Sequence, residues 1–210
     1  MQKSARRWFP SVTAYATDTS KWEKWQRDYR LGLILIMPPD DVAKQINPLR
    51  AKYDPRSCAI CPAHITLSDP LRREMTPERE AEICQILRSI QPFTLHFDKP
   101  HASPQHAGVA YPIRPREPID ALRAALHTAS AFVGEPYYTR NIPPHMTLAE
   151  FISIEERLRI CAQIQDTAPS GSFLCDRLHF IVPDEEFHFQ RRGTFLLGEG
   201  NESAGMRMPG

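Results

Sequence analysis

Pro62-Ala63-His64-Ile65-Thr66-Leu67 and Pro143-Pro144-His145-Met146-Thr147-Leu148 carry the same word, His, apolar, Thr, Leu, close behind proline. One copy stands in each half of the 210-residue chain. In an extended strand successive side chains alternate faces, so His64 and Thr66 share one face while Ile65 and Leu67 share the other. His145 and Thr147 repeat the arrangement, with Met146 and Leu148 behind them. Such a strand packs its back on a core and turns a polar His/Thr front to a cleft. A lone His on a half-buried strand is ordinarily structural or solvated, and with 8 His in the chain one such word is unremarkable. The weight lies on the repeat: two copies, each flanked by proline and leucine, read as one unit used twice.

Outward from the first word, Leu31–Met37 is a continuous apolar run of strand length. Pro38-Pro39-Asp40-Asp41 opens a helix, with acids at its positive end and a stripe of Val42, Ile46 and Leu49. Pro48 is expected to kink or shorten it. Cys58–Leu67 is expected to hold the first motif strand. Thr76-Pro77-Glu78 reads as N-cap, proline and acid, and Ile83, Ile86, Leu87 and Ile90 follow at helical spacing. Phe93–Phe97 alternates as a strand, His101 and His106 fall in a loop, and Gly108–Ile113 reads as another strand.

The pattern then restarts. Pro118 begins a helix with a stripe of Ile119, Leu122, Leu126, Ala129 and Val133, ended by Gly134. The second motif strand is His145–Phe151. Ser153 to Glu156 form a capping box, with Ile154, Leu158 and Cys161 at helical spacing. Phe173–Val182, Phe187–Arg191 and Thr194–Leu197 read as closing strands. Helix, His/Thr strand, helix thus occurs twice. The expected fold is α+β: two pseudo-symmetric lobes of antiparallel sheet, flanked by helices, around a shared central cleft, with a boundary near Asp98–Ala107 that closing strands are free to cross. Residues 1–29 lack sustained periodicity and read as an N-terminal extension, in which Trp8, Phe9, Trp22 and Trp25 are able to dock. Residues 30–199 form the single bilobal domain, and residues 200–210 a flexible polar tail.

Hydrophobic residues make up 41% and charged residues 24% of the chain, ordinary proportions for a soluble globular protein. A formal net charge of +1 implies no broad basic surface for long nucleic acid and leaves room for a small phosphate-bearing partner. The 5 Cys are odd in number and have no framework spacing, which fits reduced thiols in a cytoplasmic compartment. Cys58-Ala59-Ile60-Cys61 invites a zinc or redox reading, but zinc needs further ligands and no second such pair exists. No apolar run is long enough to cross a membrane. Residues 1–17 hold three basic side chains and no acid, so organellar targeting stays open.

The two words resemble the paired HxT motifs of the 2H phosphoesterase superfamily, and within it the 2'-5' RNA ligase family, which includes RNA cyclic phosphodiesterases. The resemblance runs from about Arg30 to Gly198, and Tyr29 to Ile36 resembles the family's first strand. It implies two antiparallel sheets related by a pseudo-twofold axis. It also implies His64, Thr66, His145 and Thr147 as catalytic residues, with no metal or other cofactor. The implied substrate is an RNA end or small nucleotide carrying a ribose 2',3'-cyclic phosphate. Opening such an ester needs a nucleophile activated on one side of phosphorus and a leaving oxygen protonated on the other. Two imidazoles facing each other suit that task, and the two Thr hydroxyls suit charge on the non-bridging oxygens.

Tyr111, Tyr137, Tyr138 and Phe151 are the aromatics available to stack a base, and Arg114 and Arg140 are the candidate phosphate contacts. Core packing or simple solvation is the plainer role for each. Two rival readings stand beside the enzyme: a non-catalytic nucleotide- or RNA-end-binding module using the same cleft, and a thiol hydrolase built on Cys61 and His64. No obligate protein partner and no membrane partner is implied.

Overall fold

The His-x-Thr-Leu pattern demands side chains that alternate between core and cleft, and the structure, a computed structural model, has this alternation. Ile65, Leu67, Met146 and Leu148 are fully buried, while His64, Thr66, His145 and Thr147 are half-buried on the opposite face. The structure describes residues 14–102, 108–132 and 138–198. Its strands are β1 (Leu33–Ile36), β2 (Ile65–Thr66), β3 (Phe93–Phe97), β4 (His101–Ala102), β5 (Gly108–Arg114), β6 (His145–Glu150), β7 (Gly171–Cys175), β8 (Arg177–Pro183) and β9 (Phe189–Leu196). Its α-helices are α1 (Asp40–Tyr53), α2 (Pro55–Ile60), α3 (Pro77–Leu87), α4 (Glu117–Leu126) and α5 (Ile154–Ile164).

The strands join in one antiparallel sheet in the order β7-β3-β5-β6-β2-β1-β8-β9, with β4 paired to β5. The two motif strands meet near its centre: β6, β5, β3 and β7 lie on one side along this path, and β2, β1, β8 and β9 on the other. Strand, helix, motif strand occurs on both sides of that seam, as β1-α1-α2-β2 and as β5-α4-β6. Each half then sends a strand to the other: β3, from the first half of the chain, pairs with β5 and β7, and β8, from the second, pairs with β1. The halves of the fold are therefore not the halves of the sequence, and Asp98–Ala107 does not divide them. Residues 103–107, with His106, lie outside the described residues, as do residues 1–13, with Trp8 and Phe9, and the tail from 199 onward.

Helices cover one face of the sheet. Val42 and Ile46 of α1, Ile83 and Leu87 of α3, Ile119, Leu122 and Leu126 of α4 and Ile160 and Ile164 of α5 join the strand residues Ile34, Ile36, Ile65, Met146 and Leu148 in one core. Each such side chain contributes roughly 1.5–3 kcal/mol on burial. α3 starts as its sequence dictates, with the Thr76 hydroxyl accepting from the Arg79 N–H and Pro77 in the first turn.

Several expectations need correction. Cys58 to Ile60 belong to α2 and not to the motif strand, because Asp54 caps a new helix at Pro55 by accepting from the Ser57 N–H at 3.0 Å. α1 runs on through Pro48 to Tyr53. α4 ends at Leu126, where the Nδ1 of His127 donates back to the Arg123 carbonyl at 2.7 Å, so Ala129 is buried beyond the helix. Val133 and Gly134 lie outside the described residues. In α5 the buried face carries Ile160 and Ile164, while Ile154 and Leu158 are 66% and 59% exposed. The segment read as one strand from Phe173 breaks at Asp176 into β7 and β8, and the two last predicted strands are one, β9.

Residues 14–29 pack on the domain. The Trp22 indole N–H donates to the Glu185 carbonyl at 2.9 Å, and the Tyr15 hydroxyl accepts from the Met75 N–H at 2.7 Å. Trp22 is buried against Phe187, whereas Trp25 is 47% exposed.

Candidate active site

β2 and β6 run antiparallel with Ile65 opposite Met146. Continuing that register one residue each way brings His64 opposite Thr147 and Thr66 opposite His145. The Ile65–Met146 pair thus sits on the local twofold axis, pointing into the core. The four polar side chains form two cross-strand His–Thr pairs on the other face. β1 extends this face with Leu35, which is opposite Thr66, and β8 with His179, which is opposite Leu35. On the other side β5 contributes Pro112, opposite His145.

The prolines before the words have a visible use. His64 Nδ1 lies 2.7 Å from the Pro62 carbonyl, and His145 Nδ1 lies 2.8 Å from the Pro143 carbonyl. A carbonyl only accepts, so each Nδ1 carries the proton and each Nε2 is left as the basic nitrogen of the neutral ring. Burial pushes the His64 ring down to about 4, helped by the Arg50 guanidinium and by His145, against the Pro62 carbonyl, which pulls the other way. His145 is also lowered, by burial first and by Arg123, and is pulled up by the Pro143 carbonyl. Both rings are therefore held toward the neutral form, with the larger effect on His64.

A cavity of about 640 Å³ opens beside the first pair. His64 and Thr66 line it together with Arg50, Asp54, Glu150 and Phe151, and aromatic rings of Trp25, Tyr29, Phe187 and Phe189 form its far wall. Those rings meet edge to face, Trp25 with Phe187 at 5.4 Å and Phe187 with Phe189 at 5.2 Å. His145 and Thr147 are not part of this lining. Burial and the Asp54 carboxylate raise the Glu150 carboxyl, while Ser57 and Arg50 oppose them.

The proposed base and phosphate contacts divide. Tyr111 is fully buried, opposite Met146 in the ladder and edge-on to Phe97 at 5.8 Å, so it faces the core and is corrected to a packing residue. Tyr138 is 45% exposed, in a 3-10 turn from Tyr138 to Asn141, with its hydroxyl 3.4 Å from that of Tyr29. Arg140 is exposed in the same turn. Arg114 ends β5 opposite His96, on the face that also carries Pro112. Phe151 is 82% exposed, at the mouth of the cavity, with φ at 57°. A positive φ is uncommon for a bulky side chain and belongs among conformations that the surroundings must hold in place. Tyr137 lies outside the described residues.

Sequence reasoning missed three groups. Arg50 and Arg123, each 1% exposed, stand directly behind the motif strands. Tyr29 and the Phe187 and Phe189 rings wall the cavity. His179 lies on the same open face, lowered to about 4 chiefly by burial, with its Nδ1 3.3 Å from the Thr194 hydroxyl. An arginine in an amphipathic helix and a single His in a closing strand carry no signal that sets them apart.

Cys61 is buried, and burial pushes its thiol up to about 12, which disfavours a thiolate there and weighs against the thiol-hydrolase reading. Among the described residues no group of three or more His, Cys, Asp or Glu side chains is placed to hold a metal ion. No helix among them is long and apolar enough to cross a membrane.

The chain is similar to several known proteins. A relative from Bacillus cytotoxicus that bears a provisional phosphoesterase name is 28% identical over 179 residues, covering 82% of this chain and 99% of its own. One from Oceanobacillus iheyensis with the same provisional name is 25% identical over 168 residues, covering 79% of this chain and 96% of its own. The crystal structure of E. coli LigT complexed with 3'-AMP aligns over 80% of this chain and 97% of that one, at 18% identity and a TM-score of 0.48. The profile of the 2'-5' RNA ligase superfamily matches residues 38–186, which include both motif words. The chain belongs to that superfamily, the 2H phosphoesterases.

Proposed function

We propose that the chain is a metal-independent phosphodiesterase that opens a ribose 2',3'-cyclic phosphate, on an RNA end or a nucleotide, by two-histidine acid–base catalysis. The observation that carries this reading is the doubled His–Thr pair, with both Nδ1 protons tied to proline carbonyls, which makes Nε2 the basic nitrogen of each ring. One neutral imidazole takes a proton from water as the water oxygen bonds to phosphorus. The bond from phosphorus to the ribose O3' breaks, and the other ring, protonated, gives its proton to that oxygen. The products are a 2'-phosphate and a free 3'-hydroxyl. The Thr66 and Thr147 hydroxyls donate to the non-bridging oxygens as their charge grows.

The lowering keeps one ring neutral as the base and works against the protonated form the other needs as the acid. A bound phosphate anion raises the affinity of both imidazoles for protons, so the acid form is recovered where the substrate sits. Run with an RNA hydroxyl in place of water, the same site joins ends through a 2'-5' linkage, which is the ligase counterpart of the reaction. A binding module without turnover needs neither Nε2 in a defined orientation. Product analysis on RNA ending in a 2',3'-cyclic phosphate, with excess EDTA present, tests the reading. We expect a 2'-phosphate end to accumulate. Loss of all turnover on chelation, with rescue by a divalent ion, overturns the metal-independent mechanism, and binding without any product favours the binding module.

A further inference from the structure

The geometry points to Arg50 and Arg123 as positioning residues: we propose that each buried guanidinium aligns one His with the Thr facing it from the other motif, and so makes two half-sites into one. The inference rests on the two-histidine reading above.

The contacts of the two arginines correspond residue for residue. Arg50, on α1, donates from Nη2 to the Cys61 carbonyl at 3.0 Å and from Nη1 to the Thr147 carbonyl. Arg123, on α4, donates from Nη1 to the Ile142 carbonyl at 2.7 Å and from Nη2 to the Thr66 carbonyl at 2.8 Å. Cys61 stands three residues before His64, and Ile142 three residues before His145. The next residue in each case is the proline whose carbonyl receives the Nδ1 proton of the His ring. Each arginine therefore reaches a ring through one peptide group and one conformationally fixed proline. Its other arm holds the backbone of the Thr that lies across from that same ring. Arg50 serves His64 with Thr147, and Arg123 serves His145 with Thr66.

A solvated role does not account for two arginines that are each 1% exposed. Burying a guanidinium is costly, and an apolar side chain fills such space at less expense. The planar fork reaches two diverging carbonyls at once, which a single ammonium group does not reproduce. Arg123 is further held by Asp120 Oδ1 at 3.2 Å. The fixed charge behind each ring also disfavours its protonated form, Arg50 acting on His64 and Arg123 on His145.

The test uses the full chain with Arg50→Lys, Arg50→Met, Arg123→Lys and Arg123→Met. Three readouts are taken: imidazole titration and tautomer by nitrogen NMR, turnover per folded molecule, and thermal midpoint. Arg50→Met should raise the titration midpoint of His64 and leave that of His145 in place, and Arg123→Met should do the reverse. The Lys variants keep the charge and lose the fork. Their titration midpoints should stay near wild type, while kcat falls on the order of tenfold or more with little change in KM. The Nδ1-protonated tautomer of the served ring should weaken in all four. A lower thermal midpoint with unchanged ring titration, tautomer and turnover overturns the proposal, as does a shift in the wrong ring. Unfolding of both Lys variants assigns the arginines to the fold alone and overturns it as well. Should wild type not open a cyclic phosphate at all, the functional reading fails, while the ring titrations still decide this inference.

Discussion

The two half-sites share a backbone plan and differ in what surrounds it. In both, a proline carbonyl holds the ring through Nδ1, and an arginine from an earlier helix, α1 or α4, crosses to the opposite Thr. The first half lies on β2, only two residues long, beside a cavity walled by Trp25, Tyr29, Phe187 and Phe189. The second lies at the start of the six-residue β6, and its His145 and Thr147 do not line that cavity. Burial lowers His64 to about 4 and moves His145 in the same direction less far. What is symmetric is the backbone and hydrogen-bond frame of the two His–Thr words, and what is asymmetric is the surface around them. A substrate with a base on one side of its phosphate and a leaving oxygen on the other calls for that division.

The comparison breaks most directly at the rings. His64→Ala and His145→Ala should each lower turnover on a cyclic phosphate by about 10²–10⁴, since each removes proton transfer at one end of a single displacement. Equal loss in both supports a symmetric use of that frame, and normal turnover in either ends the case for that half. Thr66→Val and Thr147→Val should cost less, roughly one hydrogen bond to a charged group or about 1.5–3 kcal/mol each, read as kcat with KM little changed. A Thr variant that loses as much as its His partner would show that the hydroxyl does more than stabilise charge.

The pH dependence follows from the same lowering. A ring with a lowered pKa keeps its proton only to lower pH, so the window with one ring neutral and one protonated moves to the acid side. The kcat/KM profile should be bell-shaped with its optimum below about 6.5, the ordinary imidazole value. The kcat profile, taken with the phosphate bound, should peak at higher pH. A kcat/KM that rises steadily to pH 10 contradicts two-histidine catalysis. For stability the sign is the usual one for a lowered group: the unfolded chain binds the proton more tightly, so stability falls as pH drops from about 6.5 toward the His64 value of about 4. Denaturation midpoints measured across that range should slope less in His64→Ala.

The smallest effect separates open face from core. Tyr111→Phe should leave turnover and KM unchanged, because the ring packs on Phe97 behind the ladder and does not reach the cleft. A loss of substrate affinity in that variant would contradict the assignment of faces.

How much of this was legible depends on periodicity. The period-two words carried the faces of β2 and β6, and Thr76-Pro77 carried the start of α3, because local chemistry decides those features. Tyr111 could not be sorted between stacking and packing because Val109, Ala110 and Tyr111 are all buried, and a strand buried on both faces has no alternation to read. α5 was misread because Ile154 with Leu158 and Ile160 with Ile164 both recur at helical spacing, and only the tertiary partner chooses between them. Arg50 and Arg123 were invisible because their acceptors are backbone carbonyls, which every residue has. A crossing of closing strands between lobes was open from the sequence, but which strands exchange was not legible, since strand pairing depends on partners far away in the chain.

The central claim is that the two rings act as one unit, and turnover of the His64→Ala/His145→Ala double variant beside both single variants and wild type tests it most directly. RNA ending in a 2',3'-cyclic phosphate is the substrate, and thermal midpoints are read on the same samples. The account predicts native folding in all four and a double variant about as slow as either single one, because the second loss removes a proton transfer that no longer contributes. Single losses that multiply in the double variant, or turnover preserved per folded molecule in any of the three, would contradict it.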